Sequence, residues 1–473
     1  MTMDQTTTPE WVDEVLLAGA DADICIQLPG TGEPIDRAGL RRLVAAAQER
    51  LTAAGLRTGG TVALNLPPSL AYVANLLAGW RVGAQVTLLD HRLTPYEVDA
   101  ALRRLGPQVV VSTERVLGGT LQPFVDVLEA VRSHPGEPAA TPHSVVQLSS
   151  GSTGPSKVIG RTAADLMSEL QRYRRIDGVP LPGERIVVLA SMVHVLGLVG
   201  GLMYGLHTGA TLVLPERLTG DGILGAVASD TTPATVLGVP FHIGLLNSVI
   251  ETPHLPQLKR MTTGGELVPG AATTAFNDKY AVPLGNMWGM TEVGVIATDL
   301  FGEHRPALMP APDLRVRVDE GELLVSRPQS PYIGLVDPTR WADGWLRTKD
   351  AGTVYPESGL ITVLGRLDSQ ISVGGLKVDL TEVEATIGAL PDVAAAVVLY
   401  DGVITAYVQV AGSRSGSSGD AQAAVQRALT ERLAGYKRPR VLHVLPQLPR
   451  TTTGKLVRDR AALRDAVSGK DTH

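Results

Sequence analysis

A loop of glycines, hydroxyls and one lysine is the segment of this chain best suited to bind phosphate. It reads SSGSTGPSK from Ser149 to Lys157. Glycines let backbone N–H groups approach a polyanion, hydroxyls donate to phosphate oxygens, and a lysine adds positive charge. The spacing is not that of a Walker A loop, because no Gly-Lys-Ser/Thr follows a four-residue spacer. Since such a cluster is often a plain surface loop, its interpretation depends on later motifs.

A second motif, NMWGMTEVG from Asn286 to Gly294, combines an aromatic ring, a hydroxyl and a carboxylate in what we predict to be a tight turn. The ring of Trp288 can stack on a flat base, and a lone carboxylate such as Glu292 can hold Mg²⁺ beside a phosphate loop. The alternative is a strand-to-helix turn in which Glu292 helps to cap the helix.

Two further positions carry groups that suit a nucleotide and its substrate. Asp350, in the segment WLRTKDAG, can accept hydrogen bonds from paired ribose hydroxyls, although an Asp in a β-turn is the alternative. Lys455 ends the segment PRTTTGK and can pair with a carboxylate or a phosphate. Its alternative is an ordinary solvated lysine on the surface.

The elements that must position these residues alternate between helix and strand patterns from about Arg37 onwards. Such alternation predicts parallel sheets covered by helices, hence an α/β fold. Helices are predicted at residues 41–54, 70–81 and 95–105, and strands at residues 61–66, 85–89, 108–111, 185–189, 211–214 and 236–239. The apolar run from Val145 to Leu148 is a further strand, which leads into the phosphate loop.

The character of the sequence changes after about Arg366. Residues 393–400 and 403–410 are rich in β-forming residues and are separated by Asp401-Gly402, a strong hairpin signal. A helix is predicted at residues 421–433. We therefore predict two domains: residues 1–367, with parallel-rich sheets covered by helices, and residues 368–473, a small α+β domain.

Composition limits the function. The chain has 473 residues, a net charge of −6 and 4% aromatic residues, which argues against nucleic acid as a partner. Cys25 is the only cysteine, so neither an internal disulfide nor a multi-cysteine metal site is possible. No signal-peptide pattern or membrane-spanning apolar run is present, and we expect a cytoplasmic protein that does not bind a membrane.

Taken together and in this order, the motifs resemble the AMP-forming, acyl-adenylating superfamily of acyl- and aryl-CoA synthetases, adenylation domains of peptide synthetases, and luciferases. The resemblance runs from roughly Arg37 to Arg460, and the phosphate loop, the WGMTE block and the TGK block are its most specific parts. The segments LAGWRVGA from Leu77 and TTGGE from Thr262 also agree with it.

The resemblance implies ATP and Mg²⁺ as the nucleotide and the metal. Ser152, Thr153 and Lys157 would order the ATP phosphates, with Thr153 near Mg²⁺. Thr291 would contact the α-phosphate and Glu292 would hold Mg²⁺.

The resemblance also assigns residues to the nucleoside. Trp288 would stack on adenine, where the family usually has Tyr, and Gly265 and Glu266 would belong to the turn that flanks the base. Asp350 and Arg366 would bind the ribose hydroxyls.

Lys455 would reach the acyl carboxylate and the α-phosphate in the first half-reaction. The resemblance places a hinge at Asp368, so that the small C-terminal domain rotates between two half-reactions and replaces Lys455 with the Gly374-Gly375 turn. One departure is Lys349, where the family commonly has Gly.

The implied chemistry begins when a carboxylate attacks the α-phosphorus of ATP, giving an acyl-adenylate and pyrophosphate. A thiol then displaces AMP to form a thioester. The first step requires charge neutralisation and in-line positioning more than a covalent nucleophile.

The acid is predicted from residues 191–202, which contain no carboxylate to pair with a substrate ammonium. The HVLGL pattern from His194 resembles the FHxxGL block of acyl- and aryl-CoA ligases, which favours a small non-amino carboxylic acid. His194 would close the acyl pocket or position the carboxylate, and a structural histidine is the alternative. A β-amino acid, bound by an acid from elsewhere, stays open.

The acceptor is predicted to be CoA, with the phosphopantetheine of an acyl carrier protein as the alternative. A catalytically inactive scaffold protein with the same fold is disfavoured. Such a protein would not need to keep all five of the residues assigned to catalysis or nucleotide binding, yet this chain has them: Lys157, Glu292, Asp350, Arg366 and Lys455. A luciferase-like oxygenase is a further alternative, but no residue of the sequence specifically indicates it.

Overall fold

The computed structural model describes residues 10–29, 32–113, 127–149, 157–265, 268, 270–410, 418–449 and 456–468. Four residues with predicted roles, Ser152, Thr153, Glu266 and Lys455, lie outside these described residues.

The helices in chain order are α1 (Arg37–Ala53), α2 (Leu70–Val82), α3 (Pro95–Leu105), α4 (Ala163–Tyr173), α5 (Tyr204–Thr208), α6 (Gly220–Ala228), α7 (Pro240–Asn247), α8 (Gly270–Tyr280), α9 (Leu380–Gly388), α10 (Ser418–Arg432) and α11 (Arg460–Ser468). Among the described residues, two π-helical segments occur at Val12–Leu16 and Leu196–Met203, and a 3₁₀ turn occurs at Gly435–Lys437. In the described part of the chain, no helix combines the length and the apolar character needed to cross a membrane.

The strands in chain order are β1 (Ile24–Gln27), β2 (Ile35–Asp36), β3 (Thr61–Asn65), β4 (Gln85–Leu88), β5 (Val109–Thr113), β6 (Glu129–Ser133), β7 (Val145–Ser149), β8 (Lys157–Arg161), β9 (Arg185–Val188), β10 (Thr211–Val213), β11 (Ala234–Gly238), β12 (Leu258–Gly264), β13 (Leu284–Met290), β14 (Gly294–Asp299), β15 (Met309–Pro310), β16 (Val316–Asp319), β17 (Glu322–Ser326), β18 (Trp341–Ala342), β19 (Trp345–Val354), β20 (Ile361–Arg366), β21 (Gln370–Val373), β22 (Leu376–Asp379), β23 (Val393–Tyr400), β24 (Ile404–Val410) and β25 (Val441–Leu445).

The largest sheet has nine strands among the described residues, in the order β15–β14–β13–β12–β11–β9–β10–β1–β2. The run from β13 to β1 is parallel, and the pairs at both ends are antiparallel. Strand β11 reads ATVLG and is buried throughout, as expected for a parallel strand covered on both faces.

A second sheet, counted over the described residues, has six strands in the order β6–β5–β3–β4–β7–β8, of which β5, β3, β4 and β7 are parallel. Helix α2, which packs on α1 and on this sheet, is apolar almost all round and is therefore buried. Its N-cap, Ser69, accepts a hydrogen bond from the Tyr72 N–H, and it ends at Gly83 with φ +80°.

A third sheet is antiparallel and follows the order β16–β17–β19–β18, with β20 paired to β19. In the pairing of β19 with β20, Asp350 lies directly opposite Arg366. The sheet therefore brings together two side chains that are 16 residues apart in sequence.

The described residues divide into two compact units. The first falls within Met1–His91, Leu105–Leu148 and Val158–Leu367, and it contains the three sheets above except for Ser149, at the end of β7, and Lys157, at the start of β8. The second falls within Arg92–Arg104, Ser149–Lys157 and Asp368–His473. Its described residues form the hairpin β21–β22 and the sheet β23–β24–β25, with a core of its own that includes Val383, Val398 and Leu429. The predicted α/β class with a smaller α+β part is confirmed.

Candidate active site

The WGMTE block forms the end of β13 and the turn that leads into β14. Trp288 lies on β13 opposite Ala297, with a register shift at Gly289, and Thr291 and Glu292 lie in the turn. Because a strand follows the turn, the alternative of a helix capped by Glu292 is wrong. Thr291 is half-buried, whereas Glu292 is buried.

Glu292 is held by a tyrosine that the sequence analysis did not identify. The Tyr332 hydroxyl donates a hydrogen bond to Glu292 Oε1 at 3.2 Å, and both side chains are buried. Burial, and then the negative charge of Glu292, raises the pKa of Tyr332, so the phenol stays a neutral donor. No described residue donates a hydrogen bond to Glu292 Oε2. A carboxylate that is oriented through one oxygen and has no described donor on the other suits Mg²⁺. This hard cation binds one or two carboxylates together with substrate phosphates.

The position of the turn depends on a buried ion pair. Arg161 donates to Glu169 Oε2, and Glu169 Oε1 accepts a hydrogen bond from the Val295 N–H at 3.0 Å. The neighbouring Gly294 has φ +95°, and a Cβ at this position would lie 2.1 Å from Glu169 Oε1. Glycine is therefore required both by the backbone conformation and by the close approach of α4.

Trp288, Asp350 and Arg366 meet in one cluster. The Trp288 indole Nε1 donates to Asp350 Oδ2 at 3.0 Å, and Arg366 Nη1 lies 3.3 Å from Asp350 Oδ1. Asp350 is buried within β19, so the alternative of an Asp in a β-turn is wrong. Asp350 is thus in direct contact with both Trp288 and Arg366, the two other residues predicted to bind the nucleoside here.

Lys349, where the resembled family commonly has Gly, has φ +61°. A left-handed conformation costs a residue with a Cβ about 1–2 kcal/mol, which explains why glycine suits the position. In this chain Glu322 stabilises the lysine, because Glu322 Oε1 accepts a hydrogen bond from the Lys349 N–H at 2.9 Å and lies 3.6 Å from Lys349 Nζ.

The segment before the π-helical turn Leu196–Met203 is held by side chains from two other elements. Tyr72, on α2, donates its hydroxyl to the Met192 carbonyl at 2.9 Å. Gln147, on β7, donates to the carbonyl of Val193. The backbone that carries His194 is therefore anchored at the two preceding residues.

Asp90 is a second residue that the sequence analysis missed. Its Oδ2 lies 4.0 Å from His194 Nε2, and its Oδ1 lies 3.7 Å from His91 Nδ1. Both distances exceed that of a hydrogen bond, and each contact is an ion pair only when the imidazole is protonated. Asp90 is buried, whereas the side chain of His194 is 40% exposed and can therefore face a substrate. The sequence feature that could have identified Asp90 is its position, an acidic residue two positions after the end of the buried strand β4.

The other predicted residues are placed as follows. Gly265 follows β12 with φ +91°, and among the described residues, its chain neighbours aside, no atom lies within 4 Å of its Cβ position, so the backbone conformation there favours glycine. Lys157 is the first residue of β8, is half-buried, and belongs to the second unit, whereas the residues above belong to the first.

Comparison with known proteins identifies the family. The chain matches the AMP-binding enzyme family over residues 21–330 and the AMP-binding enzyme C-terminal domain over residues 382–455. The chain belongs to the AMP-binding enzyme family. The predicted class, an AMP-forming acid–thiol ligase that activates a carboxylic acid with ATP, is thereby confirmed.

The relatives of this AMP-binding enzyme include both CoA ligases and a peptide synthetase. A probable non-canonical nonribosomal peptide synthetase of Salinispora arenicola is 30% identical over 87% of this chain, which spans 5% of that protein's length. A feruloyl-CoA synthase of Amycolatopsis sp. is 28% identical over 92% of this chain and 94% of the relative. A 3-hydroxybenzoate–CoA/4-hydroxybenzoate–CoA ligase of Thauera aromatica is 25% identical over 88% of this chain and 89% of the relative.

Solved structures share the fold. An o-succinylbenzoate CoA synthetase from Bacillus subtilis has a TM-score of 0.79 at 22% identity, covering 97% of this chain and 98% of its own. An amide bond synthetase from Marinactinospora thermotolerans has a TM-score of 0.74 at 24% identity, covering 95% of this chain and 98% of its own.

Proposed function

We propose that this AMP-binding enzyme activates a non-amino carboxylic acid, acyl or aryl, as an acyl-adenylate and transfers the acyl group to the thiol of CoA. The observation that carries the proposal is the cluster of Trp288, Asp350 and Arg366, with Glu292 in the turn that ends the same strand. It combines an aromatic face, a ribose acceptor and a metal-binding carboxylate.

In the first half-reaction, a carboxylate oxygen of the acid bonds to the α-phosphorus, and the bond from that phosphorus to the bridging oxygen breaks. Trp288 stacks on adenine, Asp350 and Arg366 hold the ribose, and Thr291 contacts the α-phosphate, which orients the nucleotide for in-line attack. Glu292 holds Mg²⁺, which when bound neutralises phosphate charge. In the second half-reaction, sulfur bonds to the acyl carbon and AMP leaves with the oxygen.

Residues outside the described ranges complete this proposal. Ser152 and Thr153, together with Lys157, would order the phosphates, and Glu266 would belong to the turn that flanks adenine. Lys455 contacts the acyl carboxylate in the first half-reaction. As a domain division we propose residues 1–367 for ATP and acid binding and residues 368–473 for the small domain that carries Lys455.

An aryl acid is supported by the names of two relatives, a feruloyl-CoA synthase and a hydroxybenzoate–CoA ligase. A carboxylic acid substrate without an amino group is supported by the absence of carboxylates from residues 191–202. In this segment, His194 is the residue proposed to contact the substrate through a polar group. Asp90 lies against His194 and His91, so part of its charge faces imidazoles rather than a substrate ammonium.

A second candidate function is the loading of an acyl, aryl or amino acid onto the phosphopantetheine of a carrier protein. It is favoured by the relative with 30% identity, a nonribosomal peptide synthetase. The activation chemistry is the same, and the two candidates differ only in the thiol.

The test is carboxylate-dependent exchange of labelled pyrophosphate into ATP, screened over aryl, fatty and amino acids. We expect exchange with an aryl or fatty acid, and a loss of exchange in Glu292→Ala. Exchange with amino acids alone would overturn the assigned acid. Silence across the panel would overturn adenylation and favour a scaffold that binds nucleotide. Release of AMP on addition of CoA, compared with a phosphopantetheinylated carrier protein, then decides the acceptor.

A further inference from the structure

Two described side chains donate to the carboxylate of Asp350, one to each of its oxygens. The Trp288 indole N–H donates to Oδ2 at 3.0 Å, and Arg366 Nη1 lies 3.3 Å from Oδ1. Arg366 Nη1 also donates to the Thr348 carbonyl at 3.0 Å, and the Asp350 N–H donates to Thr348 Oγ1 at 3.0 Å. The plane of the carboxylate is therefore set by its neighbours before any nucleotide binds.

The indole is a rigid donor. Trp288 packs against two groups of buried apolar side chains, one that includes Ile296 and Leu346 and another that includes Ala297 and Leu308. A ring held by packing keeps its N–H in one direction, since rotation would open gaps among these neighbours. The direction of the N–H is thus determined by the core of the first unit.

The identity of the residue matters for this contact. Tryptophan carries its N–H on the side of the bicyclic ring, whereas tyrosine carries its hydroxyl at the tip, so a tyrosine at position 288 would not present a donor at the same place. A phenylalanine would present none.

We propose that Trp288 is a positioning residue for ribose recognition: its indole N–H orients Asp350, and one side chain thereby couples the base and ribose subsites. The inference rests on the proposed function, in which Asp350 accepts from the ribose hydroxyls. Loss of the indole N–H should weaken nucleotide binding only when those hydroxyls are present. The reason is that the orientation of the Asp350 carboxylate affects affinity only if a ribose hydroxyl donates to it.

The experiment compares Trp288→Phe with the wild-type enzyme using ATP, 2′-deoxy-ATP and 3′-deoxy-ATP. For ATP we expect KM in pyrophosphate exchange to rise about tenfold, the size of one hydrogen bond to a charged group. For 2′-deoxy-ATP and 3′-deoxy-ATP, each of which lacks one of the hydroxyls that donate to Asp350, we expect a smaller rise of about twofold, because part of the interaction with Asp350 is already absent. An equal rise for all three nucleotides would show that Trp288 acts only by stacking or packing.

The matched control is Trp341→Phe, which removes an indole N–H that donates to the Arg327 carbonyl at 2.8 Å, away from the cluster. This variant should leave the ratio of KM values for ATP and the deoxy nucleotides unchanged. Trp288→Tyr provides a second route if Trp288→Phe does not fold, and it should lose the same discrimination. In an Asp350→Asn background, the additional effect of Trp288→Phe should fall below about twofold.

Calorimetric binding of the same nucleotides, without any acid, separates the two proposals. If wild-type enzyme binds ATP but no acid supports exchange, the proposed reaction is wrong. The ratio of the dissociation constants for ATP and for each deoxy nucleotide, compared between wild type and Trp288→Phe, still tests the role of Trp288. If exchange proceeds and Trp288→Phe leaves the ratios unchanged, only the positioning role fails.

Discussion

The hydroxyl of Tyr332 orients the buried carboxylate of Glu292. Tyr332 lies 40 residues further along the chain, and its hydroxyl donates to Oε1 within a buried environment. Because a carboxylate that is hydrogen-bonded on one oxygen has a defined plane, the second oxygen is directed rather than free to rotate.

We predict that Tyr332→Phe raises the Mg²⁺ concentration for half-maximal pyrophosphate exchange about tenfold, the usual cost of losing a partner of a metal ligand. The physical reason is that Glu292 loses its orienting donor while keeping its charge. The measurement is a Mg²⁺ titration at saturating ATP. Tyr280→Phe serves as the control, because that hydroxyl donates to the Leu246 carbonyl, away from this site. An unchanged Mg²⁺ requirement in Tyr332→Phe would contradict the role.

Residues differed in how well the sequence predicted them. Trp288, Asp350 and Arg366 were identified through motifs, and the structure confirms that they lie together. Tyr332 and Asp90 were missed, because each acts through a neighbour that is distant in sequence and neither lies in a recognisable motif. The binding and catalytic roles of all the site residues stay predictions, and Ser152, Thr153, Glu266 and Lys455 lie outside the described residues.

Among the elements, the turn between β13 and β14 depends most on its surroundings. Its conformation requires a positive φ at Gly294, and α4 supplies the Glu169 carboxylate that approaches this residue. The turn that carries Glu292 is thus positioned by a helix more than one hundred residues earlier in the chain.

We predict that Gly294→Ala destabilises the protein by at least about 3 kcal/mol, because the new methyl group would displace the buried Glu169 from Arg161. The control is Gly359→Ala, which also places a Cβ at positive φ, +71°, but where no atom of a described residue other than its chain neighbours lies within 4 Å. That variant should lose only about 1–2 kcal/mol, the cost of the backbone conformation. Urea denaturation measures both, and equal losses would show that the contact with Glu169 is unimportant.

Elements with strong periodicity were predicted closely. The predicted helix at residues 95–105 coincides with α3, and the hairpin around Asp401-Gly402 is formed by β23 and β24. The antiparallel sheet of β16 to β20 was not predicted. Strand β19 reads WLRTKDAGTV, in which charged residues and glycine obscure the alternation of buried and half-buried positions that the structure has.

At the scale of the molecule, the two units are built from segments that are not contiguous in sequence. The second unit includes residues 92–104, where Glu97 lies 2.9 Å from the buried Lys437, which also lies 2.8 Å from Glu382. Burial alone would lower the pKa of Lys437, but Glu382 and Glu97 raise it, so the lysine stays charged. Sequence patterns could not predict this pairing, because it joins positions 340 residues apart.

The family resemblance assigns Lys455 to one half-reaction only. We predict that Lys455→Ala abolishes formation of the acyl-adenylate while thioester formation from a supplied acyl-adenylate continues largely unchanged. Pyrophosphate exchange measures the first, and thioester yield measures the second. Arg464→Ala is the control, since its exposed pair with Asp401 should contribute little to either. Equal loss of both half-reactions would contradict an alternating small domain.

The approach of Glu169 to Gly294 also has an evolutionary consequence. A side chain at position 294 becomes tolerable only if the acid at position 169 is shortened or lost, and Arg161 would then need a new counter-charge. The three positions should therefore covary among homologues, and a chimaera that takes β14 from one homologue and the segment of β8 and α4 from another should fold only when the parents agree at all three.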